Sequence, residues 1–202
     1  MRATAFSVGT LPGAVVRLEP LAERHLPDLG RVAFDPDLWR WTIDRLETDA
    51  DLRRWFDTAQ EEVATGRSIC FATVELASGR AIGSTRYGHL DHDNLHVEIG
   101  WTWVGTPWQR TAVNTEAKYL MLRQAFEGWG CHRAELKTDA VNERSRRAIE
   151  RLGARLEGTL RKYQRTQGGR MRDTVIYSIL DSEWPEVKAA LERRLSRPPA
   201  AR

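Results

Sequence analysis

Three stretches of this chain bring together residue types that can do chemistry. The first is Trp108-Gln109-Arg110-Thr111-Ala112-Val113-Asn114-Thr115-Glu116-Ala117, where a strand pattern gives way to a loop and a helix opens at about Asn114. The first amides of a helix lack intrahelical partners and sit at the positive end of its dipole, so they suit a phosphate. Ala112 is small enough to let backbone approach a pyrophosphate, while the scarcity of glycine excludes a P-loop or a Rossmann fingerprint. A simple strand-to-helix connection with a polar cap is the plain alternative. The second stretch is the strand pattern His96 to Val104. Its period of two places Glu98 in a row with His96, Gly100 and Thr102, and turns Val97, Ile99, Trp101 and Trp103 to the other side. A carboxylate in such a row can accept a proton if it lines a cleft, with His96 as a weaker alternative; otherwise it is a surface glutamate. The third is Asn142-Glu143-Arg144-Ser145. Asn142 can cap the helix that follows, and Ser145 shares a helical face with Ala148, Ile149 and Leu152. A hydroxyl turned inward needs a partner, which its own helix backbone can also supply. Arg110, Arg144 and Arg147 lie close in sequence to these stretches and can grip phosphate oxygens in a fork.

The elements that must hold these residues alternate in type. Val15 to Leu18 reads as a short strand. Helices follow at about Glu23 to Phe34 and Asp49 to Thr65, the second capped by Thr48 or Asp49 and ended by Gly66. Strands at about Ile69 to Glu75, Ala81 to His89 and His96 to Val104 read as an antiparallel meander. Then come a broadly buried helix from about Asn114 to Glu127, a strand at Ala134 to Thr138, and a helix from Glu143 to Leu152. Strands at Ala154 to Tyr163 and Met171 to Ser178 flank a Gln167-Gly168-Gly169 turn, and Trp184 to Arg194 closes the chain as a helix. The expected fold is a mixed α/β (α+β) sandwich: a mostly antiparallel sheet with helices on both faces. Residues 1–13 read as a flexible leader, 14–180 as the domain, and 181–202 as a helix and tail that frays from Arg193 onward.

Composition narrows the function classes. With 41% hydrophobic residues and eight tryptophans, 202 residues suffice for one well-cored domain. A net charge of +3, from 31 basic and 28 acidic residues, is too small to argue for nucleic acid. Basic residues do concentrate between Arg133 and Arg172, which fits an anionic cofactor or a solvated face. No aromatic–basic repeat for base stacking accompanies them, so RNA binding is the weakest reading. Cys70 and Cys131 form no metal-spaced motif, so no metal is expected, and the cysteine usage fits a cytoplasmic protein. No apolar run approaches a membrane span.

Gln109-x-x-Ala112-x-Asn114, followed by Thr115-Glu116-Ala117, resembles the acetyl-CoA loop of GNAT N-acetyltransferases, closest to their ribosomal-protein N-acetyltransferase-like branch. Ala112 and Asn114 stand where that pattern carries glycine or alanine. Glu98-Ile99-Gly100-Trp101 resembles the same branch's Glu-Ile-Gly-aromatic strand. Asn142-Glu143-Arg144-Ser145 with Arg151-Leu152-Gly153-Ala154 resembles its Asn-x-x-Ser … Leu-Gly-Phe segment, with Ala154 in place of Phe. The resemblance runs from about Val15 to Ile179.

It implies a GNAT-like acyl-CoA N-acyltransferase fold, acetyl-CoA as donor, and acetyl transfer to a primary amine by direct attack in a ternary complex. The amine must lose a proton, the thioester carbonyl must be polarised, and the thiolate must be stabilised. Glu98 is then the expected base and Ser145 the thiolate stabiliser; the tyrosine acid that many relatives carry four residues later is replaced by Ile149. The cofactor is expected on Gln109, Arg110, Thr111, Ala112, Val113, Asn114 and Thr115, on Asn142 and Ser145, and on backbone N–H groups near Trp103 and Val104. Trp39 and Trp41, the helices before the meander and the Gln164 to Arg172 hairpin are expected to read the acceptor together with Glu98, although both tryptophans would equally suit a core plug. The acceptor is a small-molecule amine or a protein N-terminus, and a homodimer is left open. A catalytically silent acyl-CoA-binding module that keeps the fold is the alternative from another class.

Overall fold

The computed structural model describes residues 6–196. An eight-stranded sheet runs in the order β1-β2-β3-β4-β5-β6-β8-β7. Its strands are β1 (Leu11–Pro12), β2 (Val16–Pro20), β3 (Ser68–Glu75), β4 (Ala81–Asp91), β5 (His96–Val104), β6 (Arg133–Asp139), β7 (Arg155–Arg165) and β8 (Met171–Leu180). Every neighbouring pair is antiparallel except β5 with β6. The helices α1 (Leu26–Ala33), α2 (Pro36–Trp39) and α3 (Asp49–Ala64) cover one face; α4 (Ala112–Arg123), α5 (Glu143–Glu150) and α6 (Trp184–Leu195) cover the other. The expected sandwich is thus the observed one.

Strand alternation divides the core in two. On β3, Phe71 packs toward α4 to α6, while Cys70, Ala72 and Val74 pack toward α1 to α3. The second layer centres on Trp103, whose ring lies 5.4 Å from Trp39 and 5.7 Å from Trp55.

The leader differs from expectation over its described part. Leu11–Pro12 pairs with Leu18 and Arg17 as an edge strand, and Phe6 stacks 4.9 Å from Trp129. The side chains of Phe6 and Leu11 are buried, and burial of that apolar surface outweighs the freedom that a short sequence without periodicity suggests. Behind this edge sits Glu116 of α4. Its buried carboxylate accepts hydrogen bonds from the backbone N–H groups of Ala14, Val15 and Val16 at 2.7–2.8 Å. A Cβ at Gly13 would lie 2.6 Å from that carboxylate, so glycine is required there. At the other end α6 runs to Leu195, three residues into the expected tail, and the residues beyond 196 lie outside the description.

Two further corrections matter for the site. The helix expected at Asn114 begins at Ala112, because the Thr111 side chain caps it by accepting from the Val113 N–H. Ala112, Val113 and Asn114 therefore form the helix's first turn, and the loop is shorter than the sequence suggests. On β5 the simple alternation also fails. Register with β4 slips by one between Ser84↔Trp103 and Arg86↔Gly100, and Trp101 takes a left-handed conformation at φ 48°. A bulge of this kind reverses which face later residues point to. Val97, Ile99 and Val104 pack in the α4 layer, whereas Trp103 packs in the α3 layer. Thr102, expected beside Glu98, instead bonds Lys118 of α4.

Candidate active site

The parallel pair β5–β6 is in register only at His96↔Arg133, Val97↔Ala134 and Glu98↔Glu135. Beyond Glu98 the two strands part. The wedge they leave is a cavity of about 420 Å³, reaching from α4 and α5 on one face of the sheet to the α2 loop and the β7–β8 hairpin on the other.

Its first end is built from the starts of two helices. Thr111 donates to the Trp108 carbonyl at 2.7 Å, fixing the turn that presents the α4 N-terminus. The first turn of α4 carries no acidic residue, so its amide field is uncancelled locally. Gln109 bridges this turn to α5: its Nε2 donates to the Val104 carbonyl at 3.1 Å and its Oε1 accepts from Arg144 at 2.7 Å. Asn142 caps α5 as its sequence position implies, accepting from the Ser145 N–H at 3.1 Å. The Ser145 hydroxyl bonds to none of the described residues and opens on the cavity beside Ala148, Ile149 and Leu152. Arg110, Arg144, Arg151 and Arg194 line the same cavity, and none of the four forms a salt bridge among the described residues. Arg147, expected with them, pairs with Glu143 at 3.1 Å and does not line the cavity.

Glu98 anchors the other end and is only 6% exposed. Its Oε2 meets His89 Nδ1 at 2.7 Å and accepts from Lys137 Nζ at 2.8 Å. Burial pushes the Glu98 pKa up, but His89 and Lys137 together outweigh it and hold the carboxyl below its usual range. In return, the hydrogen bond to Glu98 raises the pKa of His89 against the effect of burial. Oε1 bonds to none of the described residues; a Cβ at Gly100 would approach it to 3.2 Å, so glycine leaves that oxygen uncovered. His96 is not part of the cavity wall.

Between the two ends stands Lys118, 4% exposed on α4. Its Nζ donates to the hydroxyls of Thr85 at 2.9 Å and Thr102 at 2.5 Å, and no carboxylate pairs with it among the described residues. Burial pushes its pKa down to about 7.

Of the residues singled out in sequence, Trp39, Trp41, Glu98, Trp103, Val104, Gln109, Arg110, Thr111, Asn114, Thr115, Asn142 and Ser145 all line the cavity. Val113 does not: it is buried in the core beneath the first turn of α4. Ala112 is exposed at the helix's first position, just outside the wall. Trp39 is largely committed to the core, its indole N–H donating to the Ala33 carbonyl at 2.6 Å. Trp41 is half-buried between the guanidiniums of Arg40 and Arg170, at 5.0 and 5.9 Å from its ring. The hairpin tip closes this mouth through Gln167 N–H to the Ile43 carbonyl at 3.2 Å. Sequence reasoning missed His89, Lys137 and Lys118, which reach the cavity from three separate elements; Arg172 lies at the end of the hairpin it did single out. The one available signal was alternation on β4 and β6, and it names no partner.

Comparison with known proteins gives the same picture from outside. The family model described as the acetyltransferase (GNAT) domain matches residues 16–155. The putative ribosomal N-acetyltransferase YdaF of Bacillus subtilis is 31% identical over 109 residues, 54% of this chain and 58% of that protein. The chain matches less than two thirds of the length of its curated relatives. The crystal structure of a GCN5-related N-acetyltransferase from Brucella melitensis superposes with a TM-score of 0.89 at 32% identity, covering 96% of this chain and 88% of that one. Mycobacterium smegmatis RimJ, solved in complex with CoA-disulfide, shares the fold at a TM-score of 0.76 and 22% identity, over 92% of this chain and 91% of that one.

Proposed function

The chain belongs to the GNAT acetyltransferase family and is an N-acetyltransferase; from that premise we propose that it moves the acetyl group of acetyl-CoA onto an amine by direct attack in a ternary complex. The observation that carries this reading is the wedge between β5 and β6, with a helix N-terminus and arginines free of salt bridges among the described residues at one end and the buried Glu98 carboxylate, bonded to His89 and Lys137, at the other. The residues present fit the cofactor. The first-turn amides of α4, with Arg110 and Arg144, would hold its phosphates, and Asn142 and the unpartnered Ser145 hydroxyl would meet its arm. Bound there, acetyl-CoA supplies an activated acyl thioester.

The chain's own groups manage the protons. Oε2 of Glu98 is fixed by His89 and Lys137, which leaves Oε1 to receive a proton from the incoming ammonium, directly or through a water. His89 shares that role, since an imidazole whose basicity a carboxylate raises is a better acceptor near neutral pH than the carboxylate itself. Ser145 donates to the developing thiolate. The acceptor enters past Trp41 and the hairpin tip, and a protein N-terminus is one such amine. Titration calorimetry with CoA followed by a thiol-release assay over an amine panel tests the proposal. Saturable binding with turnover is expected. Binding without turnover on any amine would favour a silent module, and absence of binding at millimolar CoA would remove both.

A further inference from the structure

Arg172 is the cavity's least explained charge. It lies on β8 opposite Gln164 of β7, two residues beyond the point where β8 leaves its pairing with Asp139 at the end of β6. It is 8% exposed, yet its guanidinium makes one side-chain bond among the described residues, from Nε to the Thr174 hydroxyl at 3.0 Å. No salt bridge holds it. The two carboxylates near enough to act on it are both engaged elsewhere: Asp139 with Arg170, and Glu98 with Lys137 and His89. No hydrogen bond engages its Nη groups among the described residues, and Arg172 lines the open cavity. A buried guanidinium with a single neutral partner is costly, and an anion entering the cavity would complete it.

Its place selects the anion. Arg172 shares its part of the wall with Trp41, Tyr163, Gln164 and Glu98, at the end of the wedge away from the helix N-termini. Phosphates have the α4 amides with Arg110 and Arg144 at the helix starts, so the group meeting Arg172 belongs to the acceptor. A planar guanidinium fork facing a narrow cavity matches a carboxylate. We propose that the acceptor carries a carboxylate besides its amine, that Arg172 binds it, and that the protein therefore acetylates an amino acid or an acidic peptide N-terminus. This rests on the acetyltransferase reading above and narrows its substrate.

The test compares acceptors that differ only in that group: L-phenylalanine against 2-phenylethylamine, L-lysine against 1,5-diaminopentane, and a peptide amide beginning Asp against the same peptide beginning Asn. The carboxylated member of each pair is expected to show kcat/KM higher by about 10–100-fold, the range of a charge-assisted hydrogen bond, carried mainly in KM. Preference among the free acids indicates an α-carboxylate; preference for Asp over Asn peptides indicates a side-chain one. In Arg172→Met the preference should vanish, with CoA affinity retained. That variant should also melt at a higher temperature, since a buried unpaired charge has been removed, whereas a structural arginine would leave it less stable. As a direct measure, 3-phenylpropionate should raise the melting temperature of the parent and not of Arg172→Met. Equal rates within all pairs, no 3-phenylpropionate shift, or loss of CoA affinity in Arg172→Met would each overturn the assignment. Turnover of amines without carboxylate preference would leave the acetyltransferase reading standing while sinking this one.

Discussion

Glu98 and His89 form one hydrogen-bonded unit, so their substitutions should not add. Glu98→Gln is expected to lower kcat/KM by about 10²–10⁴-fold near neutral pH. The loss should shrink as pH rises, because more of the amine is then already neutral. His89→Gln should fall in the same direction, and the double variant should be little worse than the poorer single one, which steady-state kinetics across pH will read. Additive losses would separate the two residues into independent roles. Lys118 makes a different prediction, about stability. Its pKa is about 7 in the fold and 10.5 in an unconstrained chain, so between those values the unfolded state binds more protons. The penalty for burying it is fully present below about pH 7 and fades as pH climbs toward 10.5. Lys118→Met should accordingly raise the melting temperature clearly at pH 6.5 and much less at pH 10. A pH-independent gain would mean that the amine is neutral throughout or has a partner. Asn142 and Ser145 were legible in the sequence because capping is a local rule, read three residues at a time. His89 and Lys137 were not, because their meaning lies in contacts with Glu98 made across 9 and 39 positions of chain.

At the scale of elements, the α4 N-terminus carries the clearest test. Ala112→Glu places a negative side chain on the helix's first position, where it should stabilise the helix itself through the dipole. The same charge should repel phosphate. CoA at ~100 times Kd is expected to stabilise the parent by roughly 2.7 kcal/mol through mass action, seen as a raised melting temperature. The variant should fold at least as well and lose that shift; an unchanged shift would put the cofactor elsewhere. The meander β3 to β5 and its turns were readable from alternation and Ser-Gly chemistry. The bulge was not, since nothing about a tryptophan announces a left-handed backbone. Its effect is large for one residue: it sends Trp103 into the α3 layer and Thr102 to Lys118, so the wedge has an aromatic wall on one face of the sheet and a polar one on the other. Gly88 permits this, because a Cβ there would meet the Trp101 ring at 2.5 Å. Gly88→Ala is expected to destabilise by about 1–3 kcal/mol through overpacking, measurable by denaturant titration.

For the whole molecule, the fold class followed from element order, while the cavity's depth depended on strands parting after only three registered pairs. No helix among the described residues is long and apolar enough to cross a membrane. One long-range link also gives the molecule a timing signal. Because Glu116 grips the N–H groups of Ala14, Val15 and Val16, this stretch beside a sheet edge is fastened to the helix that begins the cofactor end. An edge segment alone would trade its amide protons with solvent at the rate of local fraying. Here the exchange clock of those three amides should run at the pace of α4 instead, slowing when CoA binds one turn away at the start of that helix and speeding in Glu116→Gln. Amide hydrogen exchange followed by mass spectrometry reads both. Exchange of Ala14 to Val16 that ignores CoA while α4 slows would show the two parts keeping separate time.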